Sequence, residues 1–186
     1  KWVEKKAALE ELNAELNYPK LAEKSPIALT TMGKRLVNDA NVNVMMQSMK
    51  MIGLLAKGQR KYFDSYAKQF LPIFLQKFKD KKSLVIQETH TSLDNLMYSL
   101  NIEQVIDDIK EALEDKTPSV KINTCQWLER VFAEMPDEQV AKVAKLIAVI
   151  LKKNTDDSTA DVRNSCFKML ACLLNKCPDI INPILK

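Results

Sequence analysis

Asp115-Lys116-Thr117-Pro118-Ser119-Val120-Lys121-Ile122-Asn123 reads as a short loop running into a helix, and the chain repeats its outline three more times. The stretch from Asp39 to Val44 opens one helix, Asp80 to Val85 another, and Asp157 to Val162 a fourth. The four aspartates are spaced 41, 35 and 42 residues apart. Four places behind each valine stands a small residue (Ser48, Thr89, Thr124, Cys166). Eight places behind it stands an apolar one (Ile52, Leu93, Leu128, Leu170). Those offsets fall on one face of a helix. Self-similarity at roughly 35–45 residues, carried by helical pairs, predicts an all-α, HEAT- or armadillo-like α-solenoid. Equivalent loops of such a stack share an edge, so these loops are expected to line one candidate binding surface.

Composition agrees with that reading. Three glycines in 186 residues argue for helices with short connections and against a β-rich fold. The longest apolar run, Leu146 to Leu151, is far short of the ~20 residues of a membrane span. The net charge of +4 permits an acidic partner without demanding nucleic acid. Cys125, Cys166, Cys172 and Cys177 form no CxxC pair and are expected to be buried free thiols of a reducing compartment. The chain opens inside a repeat and without Met, so a piece of a longer protein is expected, with about five repeats and incomplete ends.

Taken in order, Ala8, Leu9, Leu12 and Leu16 give the first helix its apolar face, with Glu4 standing where later repeats have valine. Tyr18-Pro19 breaks it. A second helix is expected from Pro26 to Asn38, with Ile27, Met32 and Leu36 buried. Asn41 or Asn43 should cap the helix of Val44. An aromatic stripe (Phe63, Tyr66, Phe70, Phe74, Phe78) marks a helix from about Tyr62 to Lys79, and Ser83 can cap the next. Ile102 to Leu113 forms an amphipathic helix, and Pro118 suits a first turn. Thr159 or Asp161 can cap the helix of Val162, and Cys177-Pro178 opens the last.

The residues offer little chemistry. His90 is the one histidine, with no partner at zinc-ligand spacing. Gly33, Gly53 and Gly58 form no phosphate loop, and no GxSxG elbow is present. Glu10-Glu11 and Asp107-Asp108 are expected on solvated helix faces. The reading is a non-enzyme without cofactor or metal.

The loop edge instead carries Lys5, Lys6, Lys81, Lys82, Lys116, Lys121 and Arg163, with Trp2 at one end. Lys121 and Arg163 each follow the recurrent valine directly and should leave the same edge. Trp2 is expected to be an exposed anchor, whereas Trp127, matched by Met51 and Met169, is expected in the core. A basic edge with an aromatic anchor suits an acidic protein partner.

The opening Lys1-Trp2-Val3-Glu4-Lys5-Lys6, the segment from Phe70 to Val85 and the segment from Glu114 to Val131 resemble a TOG domain. The likeness is to the class of microtubule polymerases that includes ch-TOG and Mini spindles. It spans essentially the whole chain as a single domain, residues 1–186. In that family, HEAT repeats form a paddle whose intra-repeat loops bind the αβ-tubulin dimer. The resemblance implies that Trp2 contacts β-tubulin from the first loop and that Lys5 is a tubulin-binding residue. It further implies roles for Asn41, Val42 and Asn43 in the second loop, Lys81, Lys82 and Ser83 in the third, and Ser119 and Lys121 in the fourth. Arg163 in the fifth would face α-tubulin. The third loop departs from the fourth and fifth by following its valine with Ile86. Implied partners are the αβ-tubulin dimer and, for the full-length protein, the microtubule plus end, with no nucleic acid and no membrane. The domain would be monomeric and belong to the cytoplasm, spindle and centrosome. The competing expectation is a HEAT scaffold or transport adaptor that binds through its helix faces.

Overall fold

The computed structural model describes residues 1–186, and every regular element in it is helical. The chain divides into two compact units, Lys1–Asn101 and Ile102–Lys186. The first contains α1 (Trp2–Leu16), α2 (Ile27–Leu36), α3 (Val42–Gln59), α4 (Asp64–Lys77) and α5 (Ser83–Leu96). The second contains α6 (Ile106–Leu113), α7 (Pro118–Glu134), α8 (Asp137–Asn154), α9 (Ala160–Lys176) and α10 (Pro178–Leu185). Within the first unit α2 packs on α3 and α4 on α5, while α1, α3 and α5 lie side by side in that order. The second unit repeats the scheme, with α6 on α7, α8 on α9, and α7 beside α9. These are stacked helical pairs, the HEAT-type arrangement that the spacing of the aspartates predicts.

The recurrent positions are the core. Val44, Val85, Val120 and Val162 are fully buried, and so are Ser48, Thr89, Thr124 and Cys166 four places on. Ile52, Leu93, Leu128 and Leu170 follow them inward. Each such aliphatic side chain contributes about 1.5–3 kcal/mol on leaving water. The residue four places on stays small because neighbouring helices approach closely there; Thr89 and Ser48 find a local carbonyl, whereas the buried Thr124 Oγ1 has no partner. Thr89 Oγ1 donates to the Val85 carbonyl at 2.8 Å, and Ser48 Oγ to Gly33 at 3.4 Å. Gly58 permits another close approach. The Leu21 amide donates to its carbonyl at 2.9 Å, and a Cβ there would fall 2.5 Å from Leu21 Cδ1. The aromatic stripe is internal, with Phe63, Phe70, Phe74 and Phe78 at 0% exposure, as is Trp127.

Several local expectations are corrected. Ile27, the first residue of α2, is 60% exposed, as a side chain at a helix end without an element packed over it can be. Ala8 is exposed, since α1 packs only against α3 in this unit and that face meets no second helix. The aromatic helix begins at Asp64, after a 3-10 turn over Arg60–Phe63. Ile102–Val105 is likewise a 3-10 turn ahead of α6. Ser83 does not cap α5; Lys82 occupies the N-cap position and its own side chain makes no capping hydrogen bond. Cys125, Cys166 and Cys177 are buried free thiols, but Cys172 is only half-buried. Asn41 does cap α3, its Oδ1 accepting from the Asn43 and Val44 amides at 3.0 and 3.4 Å.

Candidate functional site

All four recurrent loops are built on one turn. The leading aspartate accepts, through Oδ1, the backbone N–H two residues on: Asp39 from Asn41 at 2.9 Å, and Asp80 from Lys82, Asp115 from Thr117 and Asp157 from Thr159 at 2.8 Å each. This Asx turn satisfies an amide that the start of the helix leaves unpaired, and it hands the chain over to the helix in a fixed direction. The aspartates that mark the register in the sequence are therefore the groups that shape the loops.

The loops of Asp39 and Asp157 each receive a second lock from a lysine. Lys5 Nζ reaches Asp39 Oδ2 at 2.8 Å, and Lys121 Nζ reaches Asp157 Oδ2 at 2.7 Å. In each case a lysine behind one loop holds the aspartate of the next repeat. Its hydrogen bond is the main cause that holds the carboxyl below the usual range, with the turn amide second. Lys121 is only 14% exposed in this pair. Arg163 closes the same loop from the other side, its Nη1 donating to the carbonyls of Asp157 at 2.8 Å and Ser158 at 3.0 Å. Lys121 and Arg163 thus do leave one edge of the second unit, as their positions after valine predict, and they converge on Asp157. The positions equivalent to Lys121 behind the second and third loops hold Met45 and Ile86, so the lock has no lysine there.

The first unit presents a different surface. Loops two and three border an open depression of about 500 Å³. Val42, Met46 and Leu84 supply its apolar part, and Asn43, Lys81, Lys82 and Ser83 its polar part. Leu84 is 65% exposed, although it is an aliphatic residue at the start of a helix. Lys81 and Lys82 are exposed, and neither ammonium has a carboxylate partner. Trp2 is the first residue of α1, not part of a loop ahead of it, and is 47% exposed. Lys116 in the fourth loop is exposed, and Ser119 beside it is half-buried with its carbonyl accepting Asn123 Nδ2 at 2.7 Å.

Of the sequence-derived residues, the structure brings Val42, Asn43, Lys81, Lys82 and Ser83 together, and separately Lys121 and Arg163. Asn41 and Lys5 sit beside them but are occupied with capping α3 and holding Asp39. Met46 and Leu84 were not singled out from the sequence, and Asp39 and Asp157 were read there as markers of the repeat, not as groups that hold a lysine. A lysine after the repeat valine followed about 36 residues later by a loop aspartate was the available signal for the locks. No group of three or more His, Cys, Asp and Glu residues is placed to hold a metal ion.

The family model described as CLASP N terminal matches residues 34–186. Protein mini spindles of Drosophila melanogaster is 32% identical over the whole chain, and Protein MOR1 of Arabidopsis thaliana 30% identical over 93% of it. The chain spans about 9% of the length of these curated relatives. A structure from work on microtubule plus-end tracking by XMAP215, CLIP-170 and EB1 superposes with a TM-score of 0.91. It is 31% identical, over 100% of this chain and 78% of that one. The family match covers most of both units and the fold agrees along the full length, so the chain belongs to the CLASP N-terminal family, as a TOG domain of the microtubule-polymerase class that includes Mini spindles.

Proposed function

We propose that this chain binds the αβ-tubulin dimer through its intra-repeat loops, as one module of a microtubule-associated protein that promotes microtubule growth. The observation that carries the reading is the first unit's loop surface. There Lys81 and Lys82, without acidic partners, follow the Asp80 turn beside the exposed Leu84, and Trp2 is exposed at the start of α1. Apolar anchors flanked by cations suit a partner surface that is acidic and ordered. The likeness to proteins named for spindles and plus-end tracking points to the same partner. Trp2 and Leu84 would bury apolar area, and Lys81 and Lys82 would steer the approach.

Lys121 and Arg163 take a second role in this reading. Their donors already hold the Asp157 loop, so they present that loop to the partner as much as they touch it themselves. Both units then serve one partner, and residues 1–186 act as one binding module. In the full-length protein such a module would deliver tubulin to the microtubule end and work at the spindle. A role in binding, not catalysis, fits relatives that are microtubule-associated structural proteins.

The test is size-exclusion co-migration with αβ-tubulin. Trp2→Ala combined with Lys81→Ala and Lys82→Ala is expected to abolish the complex while the melting temperature stays within a degree or two of the parent. An exposed aromatic anchor alone typically carries ~2 kcal/mol, roughly thirtyfold in affinity. A triple variant that co-migrates like the parent would remove the loop surface from the site.

A further inference from the structure

The C-terminal ends of α3 and α5 carry a second feature that the loops do not explain. Arg60, which ends α3, has φ 52° and ψ −128°, and it is the one non-glycine residue of the chain with positive φ. Glycine would adopt that backbone at little cost, whereas arginine is strained there. The strained residue is also one of a cluster. Arg60 Cζ lies 5.6 Å and Lys57 Nζ 6.0 Å from the centre of the Tyr98 ring, and Lys61, the next residue in the chain after Arg60, is exposed. Tyr98 itself is 49% exposed. Ser99 Oγ donates to the Ala56 carbonyl at 2.8 Å, which pins the Tyr98 turn to the end of α3.

Cations at a helix C-terminus are ordinary, because they complement the helix dipole. That accounts for Lys57 but not for an arginine held at positive φ, since the dipole can be met by a residue in an unstrained turn. Nor do these cations answer to neighbouring acids. The unit's ion pairs include those of the Lys1 amino terminus with Glu4, Lys5 with Asp39, Lys6 with Glu10 and Lys68 with Asp64, and none involves Lys57, Arg60 or Lys61. Two positive charges therefore stand at one half-exposed aromatic ring, with a third on the exposed residue that follows Arg60 in the chain. They lie at the far end of an 18-residue helix from Asn41, about 27 Å along its axis.

We propose that Lys57, Arg60 and Lys61, with the Tyr98 ring, form a docking patch for an acidic peptide segment, separate from the loop surface. An extended acidic chain can set successive carboxylates against the three cations. The exposed tyrosine gives its backbone or an apolar residue a flat surface to lie on. A small inorganic anion would want enclosing walls, which the open surface lacks. A nucleic acid strand would want a longer track of cations and stacking rings than three charges and one tyrosine.

Fluorescence anisotropy of the 186-residue chain with a labelled ten-residue polyglutamate peptide tests this. The parent is expected to bind. Arg60→Gly, which removes the cation and relieves the backbone, should bind at least about fivefold more weakly with an equal or higher melting temperature. Lys57→Gln with Lys61→Gln, which leaves the Arg60 backbone alone, should weaken binding by a similar factor. Lys81→Gln with Lys82→Gln should bind the peptide like the parent. The proposal fails if the parent ignores the peptide, or if the Arg60 and Lys57/Lys61 variants bind as well as the parent. It fails equally if the loop variant loses as much, since the peptide would then be reading charge in general. Tighter binding of a ten-nucleotide single strand through the same residues would overturn the peptide assignment.

Discussion

The Asp80 loop of the first unit and the Asp157 loop of the second start from the same Asx turn and use their cations in opposite ways. At Asp157 the lysine of the preceding repeat and the arginine of the following helix both fold back, onto the carboxylate and the loop carbonyls. At Asp80 no lysine stands behind the turn, Lys81 and Lys82 point to solvent, and Leu84 is left exposed between them and α3. One loop is charge-satisfied, the other charge-bearing. The difference teaches that a basic loop residue is not by itself a contact residue: its availability depends on whether the neighbouring repeat supplies an acid within reach.

The helices behind the loops differ as well, and there the largest effect is expected. Seven places after its valine, α7 carries the fully buried Trp127, whereas α5 carries Ser92, whose hydroxyl donates to Glu88 at 2.9 Å. Trp127→Ala should cost ~3–5 kcal/mol through the cavity it leaves. Ser92→Ala should cost no more than ~1 kcal/mol, the ordinary worth of one hydrogen bond. Chemical denaturation measures both, and equal losses would mean that the two units pack their helices more alike than their sequences suggest.

Next in size is the lock itself. Lys121→Ala removes a charge-assisted hydrogen bond from a half-buried carboxylate and should lower stability by about 1–2 kcal/mol. Lys82→Ala removes an exposed, unpaired ammonium and should leave stability within ~0.5 kcal/mol while weakening tubulin binding. A Lys121 variant as stable as the parent would show that the lock contributes nothing beyond the turn.

A smaller effect follows from pH. The carboxyls of Asp39 and Asp157 titrate below their usual 3.8 in the folded chain, first because of the lysine hydrogen bond and then the turn amide. Their contribution is complete above the unfolded value, near pH 4, and is lost as pH falls through the lower folded values. Melting temperature should therefore decline below about pH 4, and Asp157→Asn should flatten that decline. A variant with an unchanged acid limb would place the sensitivity elsewhere. The mildest test is ionic strength. Tubulin binding should weaken as salt rises, because Lys81 and Lys82 act across solvent where the Debye length is ~8–10 Å near physiological salt. Binding indifferent to salt would assign the affinity to Trp2 and Leu84 alone.

The sequence by itself determined the helical repeat, its register and its buried face. Those are set by spacing along one chain: a valine, a small residue four places on and an apolar one eight places on must share a helix face, and all twelve such residues are inside. It also determined that Trp127 is core and that an asparagine, Asn41 or Asn43, caps α3, because burial of a large ring and capping of a local amide are decided within one helix and its neighbours in the chain. Only the tertiary structure decided which cations are free. Lys121 and Lys82 look alike in the sequence, but the acid that occupies Lys121 lies 36 residues away and the pairing exists only once α7 and α9 are side by side. The same holds for Ile27 and Leu84, apolar residues whose exposure depends on what their helix ends face, and for Arg60, whose strained backbone has no signature in residue type. Local spacing is written along the chain, whereas charge satisfaction and exposure depend on which helices meet across it.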